Sequence, residues 1–351
     1  MNTLLIKNGR IITSTSDFHG DVLIENGRII KVFPKGNQIS AGQEIDAGGC
    51  YVLPGFIDPH VHLQLETPFG FSSDDFYTGS KAALYGGTTT LLDFVTPEKD
   101  EPLTAALEKR KKEAADSLID YSLHVSPVSW NKSTRQEILT CIGQGISSFK
   151  VYLAYQKTIG IGDRELAAIM ETLAGKGAIL MIHCENDGMI NYLQQKYLTE
   201  GKTSPNYHAL SRPAEAEAEA VNRVISFSEK FNCPVYLVHL STANAAGLVE
   251  TVRKKGLQVY GETCPQYLLL DESSYNAGFN EAAKFVMSPP LRKASDQATL
   301  WDAIASGAIQ SIGTDHCPFK LEQKKNGKSD FTKIPNGAGG IEHRPSLMFT
   351  F

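Results

Sequence analysis

The 351-residue chain is predicted to have an α/β fold, a closed (β/α)8 TIM barrel preceded by a small N-terminal β-sandwich module. Three observations predict this. From residue 51 onward, eight apolar runs of strand length alternate with helical patterns. The runs are apolar almost throughout, as strands covered by helices must be. Five of them end on chemically active side chains: His60-Val-His62, Lys150, His183, His239 and Asp315-His316. A barrel gathers the C-terminal ends of all its strands at one mouth. A doubly wound open sheet, the alternative, gives no reason for residues on the first, fourth, fifth, sixth and eighth strands to converge.

Residues 1–50 read as the small β module. Leu4-Leu-Ile-Lys-Asn-Gly-Arg-Ile-Ile12 and Asp21-Val-Leu-Ile-Glu-Asn-Gly-Arg-Ile-Ile-Lys-Val32 alternate apolar and polar residues around Asn8-Gly9 and Asn26-Gly27. Both dipeptides suit the positive-φ positions of tight hairpin turns. Residues 51–351 form the barrel. Its strands are expected at 51–63, 88–95, 120–128, 147–155, 178–185, 234–241, 258–265 and 310–318. Helices fall between them at 74–86, 102–117, 133–143, 163–177, 212–231, 242–256 and 298–307. Ser133-Thr-Arg-Gln136 is a helix-start signal, and Gly175, Gly177, Gly256 and Gly307 are stops. Eight units over about 265 residues match the usual size of a closed barrel. Met348-Phe-Thr-Phe351 falls inside an opening helix, so the final helix and the C-terminal β strands that would complete the module are expected to be absent.

Composition limits the function. A formal charge of −5 leaves no basic stripe for nucleic acid. No stretch of about 18 apolar residues spans a membrane, and the N-terminus lacks a secretory h-region, so a cytoplasmic protein is expected. Six cysteines without C-x-x-C spacing (Cys50, Cys141, Cys184, Cys233, Cys264 and Cys317) indicate neither a zinc knuckle nor a disulfide framework. Most are expected in the core, with Cys184 and Cys317 near the site.

His60 and His62, at i and i+2 on a strand, leave one face and can grip the same ion. An H-x-H alone is weak evidence. A lysine closing a strand, as Lys150 does, is ordinarily a snorkelling cation. Either His183 or His239 alone would read as a satisfied core histidine. Together, at the ends of successive strands, they read as ligands.

Pro54-Gly-Phe-Ile-Asp-Pro-His-Val-His62 and Gly313-Thr-Asp-His316 resemble the amidohydrolase superfamily. Phe149-Lys-Val-Tyr-Leu-Ala-Tyr155, Gly313-Thr-Asp-His-Cys-Pro-Phe319, Glu322-Gln-Lys324 and Asp330-Phe-Thr-Lys-Ile-Pro-Asn-Gly337 narrow the resemblance to its hydantoinase and dihydropyrimidinase family. That resemblance implies two divalent metal ions, zinc being the first choice for a His-rich set. His60, His62 and Asp315 would hold one ion and His183 and His239 the other, bridged by Lys150 as N6-carboxylysine, a carbamate derived from CO₂. Tyr155 would stabilise the oxyanion, Ser288 and Asn336 would hold the cyclic amide through backbone groups, and Asp315 would shuttle the proton. The implied reaction is hydrolysis of a hydantoin or 5,6-dihydropyrimidine ring to an N-carbamoyl amino acid by a metal-bridging hydroxide. Leu65, Tyr152 and Ile159 are expected to form an apolar lid over the ring substituent. A homo-oligomer, dimer or tetramer, is implied likewise.

Allantoinase and dihydroorotase share the ligand pattern. The latter lacks a recognisable arginine motif for a substrate carboxylate here, and Tyr155 with Ile334-Pro-Asn-Gly337 favours hydantoin or dihydropyrimidine rings over allantoin. A non-enzymatic dihydropyrimidinase-related protein would have lost ligands that this chain keeps. His316 is expected to point away from the ligand set and His124 to pack. His19, His208 and His343 are expected in solvent, as is the face carrying Glu215-Ala-Glu-Ala-Glu219.

Overall fold

The computed structural model describes residues 3–34 and 39–351, in two compact units divided after Phe56. In the first unit, β1 (Thr3–Ile12) pairs antiparallel with β2 (Asp17–Glu25), which pairs with β3 (Arg28–Pro34). Two further strands, β4 (Gln43–Asp46) and β5 (Tyr51–Val52), run parallel to β1, giving a five-stranded sheet.

Asn26 and Gly27, at φ 50° and 77°, make the expected tight turn. Asn8-Gly9 does not turn. It lies inside β1 at a register shift between Ile6 and Gly9, a bulge in which Asn8 N donates to Asp21 Oδ1 at 2.8 Å. The same positive-φ preference serves a bulge as well as a hairpin, so the dipeptide did not distinguish them.

From Ile57 the second unit carries the rest of β6 (Phe56–Val61) and a small hairpin of β7 (Glu66–Thr67) and β8 (Gly70–Phe71). Then come α1 (Phe76–Tyr85), β9 (Thr88–Val95), α2 (Leu103–Glu113), β10 (Asp120–Val125), α3 (Thr134–Gly143), β11 (Ser148–Tyr152), α4 (Asp163–Leu173) and β12 (Ile179–His183). An insertion carries α5 (Asp187–Thr199) and α6 (Asn206–Leu210) before α7 (Ala214–Phe231), β13 (Val235–Leu237), α8 (Ala243–Lys254) and β14 (Val259–Thr263). A second insertion holds α9 (Pro265–Leu269) and α10 (Phe279–Ala282), followed by α11 (Ala294–Ala305), β15 (Ser311–Ile312), α12 (Leu321–Lys324) and α13 (Arg344–Thr350).

All eight expected barrel strands are present, in sequential parallel order from β6 to β15. Backbone bonds join the first strand to the segment after the last: Asp315 N donates to His60 O at 2.9 Å and His62 N to His316 O at 2.8 Å. Asp58, buried beneath this seam, accepts from Thr314 N at 3.1 Å and Thr314 Oγ1 at 2.7 Å.

Strand alternation sorts the side chains. Phe149, Val151, Leu180, Ile182, Val235 and Leu237 pack outward against Leu107, Ile138, Leu166, Val221 and Val249 of the helices, forming the main core. Phe94, Met181 and Val238 form a separate cluster, from the alternate face in β12. Lys150 has the parity opposite to Phe149 and Val151, so the period of two that builds the core also faces the candidate ligands into the mouth.

Two local readings are corrected. Ser133 caps α3 without a side-chain bond, because Asn131 Oδ1 already accepts from Ser133 N and Thr134 N at 2.8 and 3.1 Å. The helix expected at 298–307 begins a turn earlier, at Ala294. Gly175, Gly177, Gly256 and Gly307 all take positive φ just past helix ends.

Candidate metal centre and active site

One cavity of about 140 Å³ at the mouth of the barrel is lined by every residue read as a ligand or substrate contact: His60, His62, Lys150, Tyr155, His183, His239, Ser288, Asp315 and Asn336; Cys317 lines it too, and Cys184 does not. Leu65, Tyr152 and Ile159 line it as well. The ligand atoms of His60, His62 and Asp315 lie within 4.8 Å of one another. Asp315 Oδ1 is 3.2 Å from Nε2 of both histidines, which are 3.2 Å apart. His183 Nδ1 faces His239 Nε2 at 3.0 Å, and the His60 and His239 rings are 5.5 Å apart, so the two groups adjoin.

Among the described residues, Lys150 Nζ is buried with no hydrogen-bond partner, as is His239 Nδ1. The Lys150 nitrogen lies 4.8 Å from the ring centres of Phe94 and Tyr152. Burial pushes its ammonium towards the neutral amine, opposed by Asp315 and Glu262. Burial likewise keeps His60 and His239 neutral, the state in which imidazole ligates. A buried, unpaired amine among neutral imidazoles and a carboxylate is costly unless further groups complete it. The donor set fits divalent metal ions on this ground.

Backbone strain is concentrated here. Gln64, Tyr155, His239 and Asp315 take φ between 40° and 62°. Such conformations cost about 1–3 kcal/mol each in residues other than glycine and asparagine and persist where surrounding structure enforces them. The turn that each makes sets its side chain, or its neighbour's, at the cavity rim.

Three buried carboxylates hold the imidazoles and the strand ends. Glu262 Oε1 accepts from His60 Nδ1 at 2.7 Å and from His239 N at 3.1 Å, while Oε2 accepts from Tyr236 Oη at 2.7 Å. This leaves His60 Nε2 as the free ligand atom. Glu185 Oε2 accepts from His183 Nε2 at 2.8 Å. Burial works against the Glu185 charge, but Arg212 beside it and His183 hold its carboxyl down to about 2. Asp93 Oδ2 accepts from Leu63 N at 2.8 Å and Oδ1 from Arg110 Nε at 3.0 Å, pinning the chain directly after His62. The sequence reading missed Glu262, Arg212 and Asp93. Glu262 was visible as an acidic residue two positions before Cys264 in an apolar strand, where a charge needs a partner.

Residues left out of the ligand set sort clearly. His316 donates from Nε2 to Asp74 Oδ2 at 3.0 Å and accepts at Nδ1 from Gly340 N at 3.0 Å. His124 is buried and donates from Nε2 to Pro59 O at 3.0 Å. His19 and His343 are exposed. His208 is not: it is buried and donates from Nε2 to Met287 O at 2.8 Å, because the second insertion covers α6. Glu217 departs from the solvated face as well, accepting from Ser241 N at 2.9 Å and pairing with Arg292 at 3.3 Å. Glu215 and Glu219 remain exposed. Cys50 is exposed, and the other five cysteines are buried and free.

Residues 51–341 match the amidohydrolase family. A D-hydantoinase of Geobacillus stearothermophilus is 43% identical over 353 aligned positions, covering 99% of this chain and 74% of that protein. The chain belongs to the hydantoinase and dihydropyrimidinase family of amidohydrolases. A D-phenylhydantoinase of Escherichia coli is 40% identical, covering 99% of this chain and 75% of its own length. The crystal structure of a dihydropyrimidinase from Brevibacillus agri superposes with a TM-score of 0.96 at 39% identity, covering 99% of this chain and 76% of that one. Metal dependence in this family agrees with the His60, His62 and Asp315 cluster. Among the described residues, no helix is long and apolar enough to cross a membrane.

Proposed function

We propose that this amidohydrolase opens cyclic amide rings of the hydantoin or 5,6-dihydropyrimidine type, yielding N-carbamoyl amino acids. The observation that carries this reading is the convergence of His60, His62, His183, His239 and Asp315 around the unpartnered Lys150 Nζ in one cavity that also holds Tyr155, Ser288 and Asn336. The names of the relatives support the same ring chemistry over allantoinase or dihydroorotase.

His60, His62 and Asp315 would hold one divalent ion and His183 and His239 the second, zinc in each case. Lys150 is read as the carbamate: the neutral amine adds to CO₂, forming an N–C bond and releasing a proton. The buried, unpaired amine supports this, since a carbamate would replace a disfavoured cation with an anion suited to dications held by the neighbouring ligands. When bound, such ions polarise a carbonyl and lower the pKa of water towards neutrality.

The chain's own groups do the rest. Backbone groups at Ser288 and Asn336 orient the ring amide at the cavity wall. Tyr155 donates its hydroxyl proton to the oxyanion developing on the attacked carbonyl. Asp315 takes a proton from the attacking water and returns it to the leaving ring nitrogen, one carboxylate acting as base and then acid. Leu65, Tyr152 and Ile159 exclude water around the ring substituent. By family likeness the enzyme is a cytoplasmic dimer or tetramer, which sedimentation of the purified protein would establish.

The test is metal content by mass spectrometry together with hydrolysis of hydantoin, 5,6-dihydrouracil and allantoin. The expected result is two metals per chain and turnover of the first two rings, both lost in Lys150→Ala. Metal-free, inactive wild-type protein that is fully folded would refute the proposal.

A further inference from the structure

Arg212 is 2% exposed and stands beside the one neutral side chain assigned to charge stabilisation. Its Nη2 donates to Tyr155 Oη at 3.2 Å, and its guanidinium carbon lies 5.2 Å from the Tyr155 ring centre. Nη1 of the same group pairs with Glu185 Oε2, which is itself held by His183. The other side is fixed by Arg292, whose Nη1 donates to Arg212 O and whose Nε donates to Ser241 Oγ at 2.9 Å, with Glu217 completing the set. The guanidinium therefore has one arm clamped and one arm aimed at the tyrosine oxygen.

The direction of that bond matters. A guanidinium only donates, so the tyrosine oxygen must accept from Arg212 and its own proton is directed away from that arm, on the side where the Ser288 and Asn336 side chains also reach the hydroxyl. A cationic donor on the phenol oxygen also polarises the remaining O–H, because linked hydrogen bonds strengthen one another in a low-dielectric site. Tyr155 has φ 62°, so its backbone is already committed to one direction, and the Arg212 bond fixes one partner of the hydroxyl oxygen. A lysine could keep the charge opposite Glu185 but could not span both partners with a planar fork.

We propose that Arg212 is a positioning residue for ring opening: anchored by Glu185, it aims and polarises the Tyr155 hydroxyl towards the carbonyl oxygen under attack. The proposal rests on the reading of Tyr155 as oxyanion donor, and its test separates the two. Steady-state kinetics on 5,6-dihydrouracil are compared for wild type, Tyr155→Phe, Arg212→Lys and the double variant, with metal content and circular dichroism recorded for each. Tyr155→Phe is expected to lower kcat about 100-fold, as loss of one oxyanion donor does. Arg212→Lys is expected to lower kcat about tenfold with KM and metal content within about twofold of wild type, and to cost less than about twofold in the Tyr155→Phe background.

Equal tenfold losses in both backgrounds would overturn the proposal while leaving Tyr155 in place. An unchanged kcat in Tyr155→Phe would remove the Tyr155 reading first. Should Arg212→Lys not fold, Arg212→Ala titrated with guanidinium is read instead. Rescue of kcat that disappears when Tyr155 is also phenylalanine supports the proposal. Rescue in both backgrounds, or none, overturns it, and failure of both arginine variants to fold assigns Arg212 to the scaffold alone and overturns it too.

Discussion

Replacing Glu262 by glutamine tests how His60, a proposed metal ligand, is held. The carboxylate now accepts three bonds: His60 Nδ1 at 2.7 Å, His239 N at 3.1 Å and Tyr236 Oη at 2.7 Å. A glutamine keeps one acceptor oxygen. If that oxygen faces His60 and His239, the amide NH₂ faces Tyr236, whose hydroxyl can turn to Ser311 Oγ, 2.6 Å away. If it faces Tyr236, two donors oppose each other at His60 Nδ1, and the imidazole proton is driven to Nε2, where it blocks ligation. In either orientation the negative charge that raises imidazole basicity is gone.

Loss of such an outer-shell partner typically lowers metal affinity about 10- to 100-fold, which is about 1.4–2.7 kcal/mol. Competition with a chelator of known affinity, read by mass spectrometry of the retained metal, measures this. Urea unfolding of the metal-free protein separates it from a general loss of stability. The expected result for Glu262→Gln is a chelator midpoint shifted at least about tenfold. Retention of metal within twofold of wild type, in a folded variant, would refute the view that the Glu262 carboxylate strengthens His60 as a ligand.

Three further outcomes are expected. Burial pushes His208 down to about 3 from 6.5, so the folded protein holds it neutral while the unfolded chain takes up a proton. Its contribution is therefore intact above about pH 6.5 and is lost as pH falls towards 3, by ~5 kcal/mol in total. Urea unfolding of metal-free His208→Gln should show a shallower fall in stability than wild type between pH 6.5 and 4.5, and parallel curves would refute this. Gly337 has φ 144° and an added Cβ would lie 2.1 Å from Cys317 O, so Gly337→Ala should cost about 1–3 kcal/mol and lower the thermal midpoint, with KM raised because Asn336 moves. Leu65→Ala should enlarge the wall shared with Tyr152 and Ile159 and shift kcat/KM towards rings with bulky substituents relative to small ones. An unchanged preference would sink that assignment.

The architecture was legible in the sequence because it depends on short-range order, which also puts the candidate ligands at strand ends, while their grouping into a metal site came from the family resemblance. Eight apolar runs with helical patterns between them specify a parallel sheet, and residues two apart share a face, so His60 and His62 could be paired from spacing alone. Tyr155, Ser288 and Asn336 came from resemblance, and the structure places all three on one cavity.

What the chain could not reveal locally is which polar residues are buried and what they face. Glu217 and Glu219, two residues apart, lie on opposite sides of α7, and which side is enclosed, here Glu217 by Ser241 and Arg292, is decided by what packs there. His208 looked solvated because nothing nearby in sequence covers it; a carbonyl 79 residues away does. Glu262 meets His60 across 202 residues, and Arg212 meets Tyr155 across 57. Strand period and helix caps are set by neighbours along the chain, so sequence determines them. The partner of a buried charge is set by which strand ends the barrel brings together, and the closed tertiary structure alone decides that.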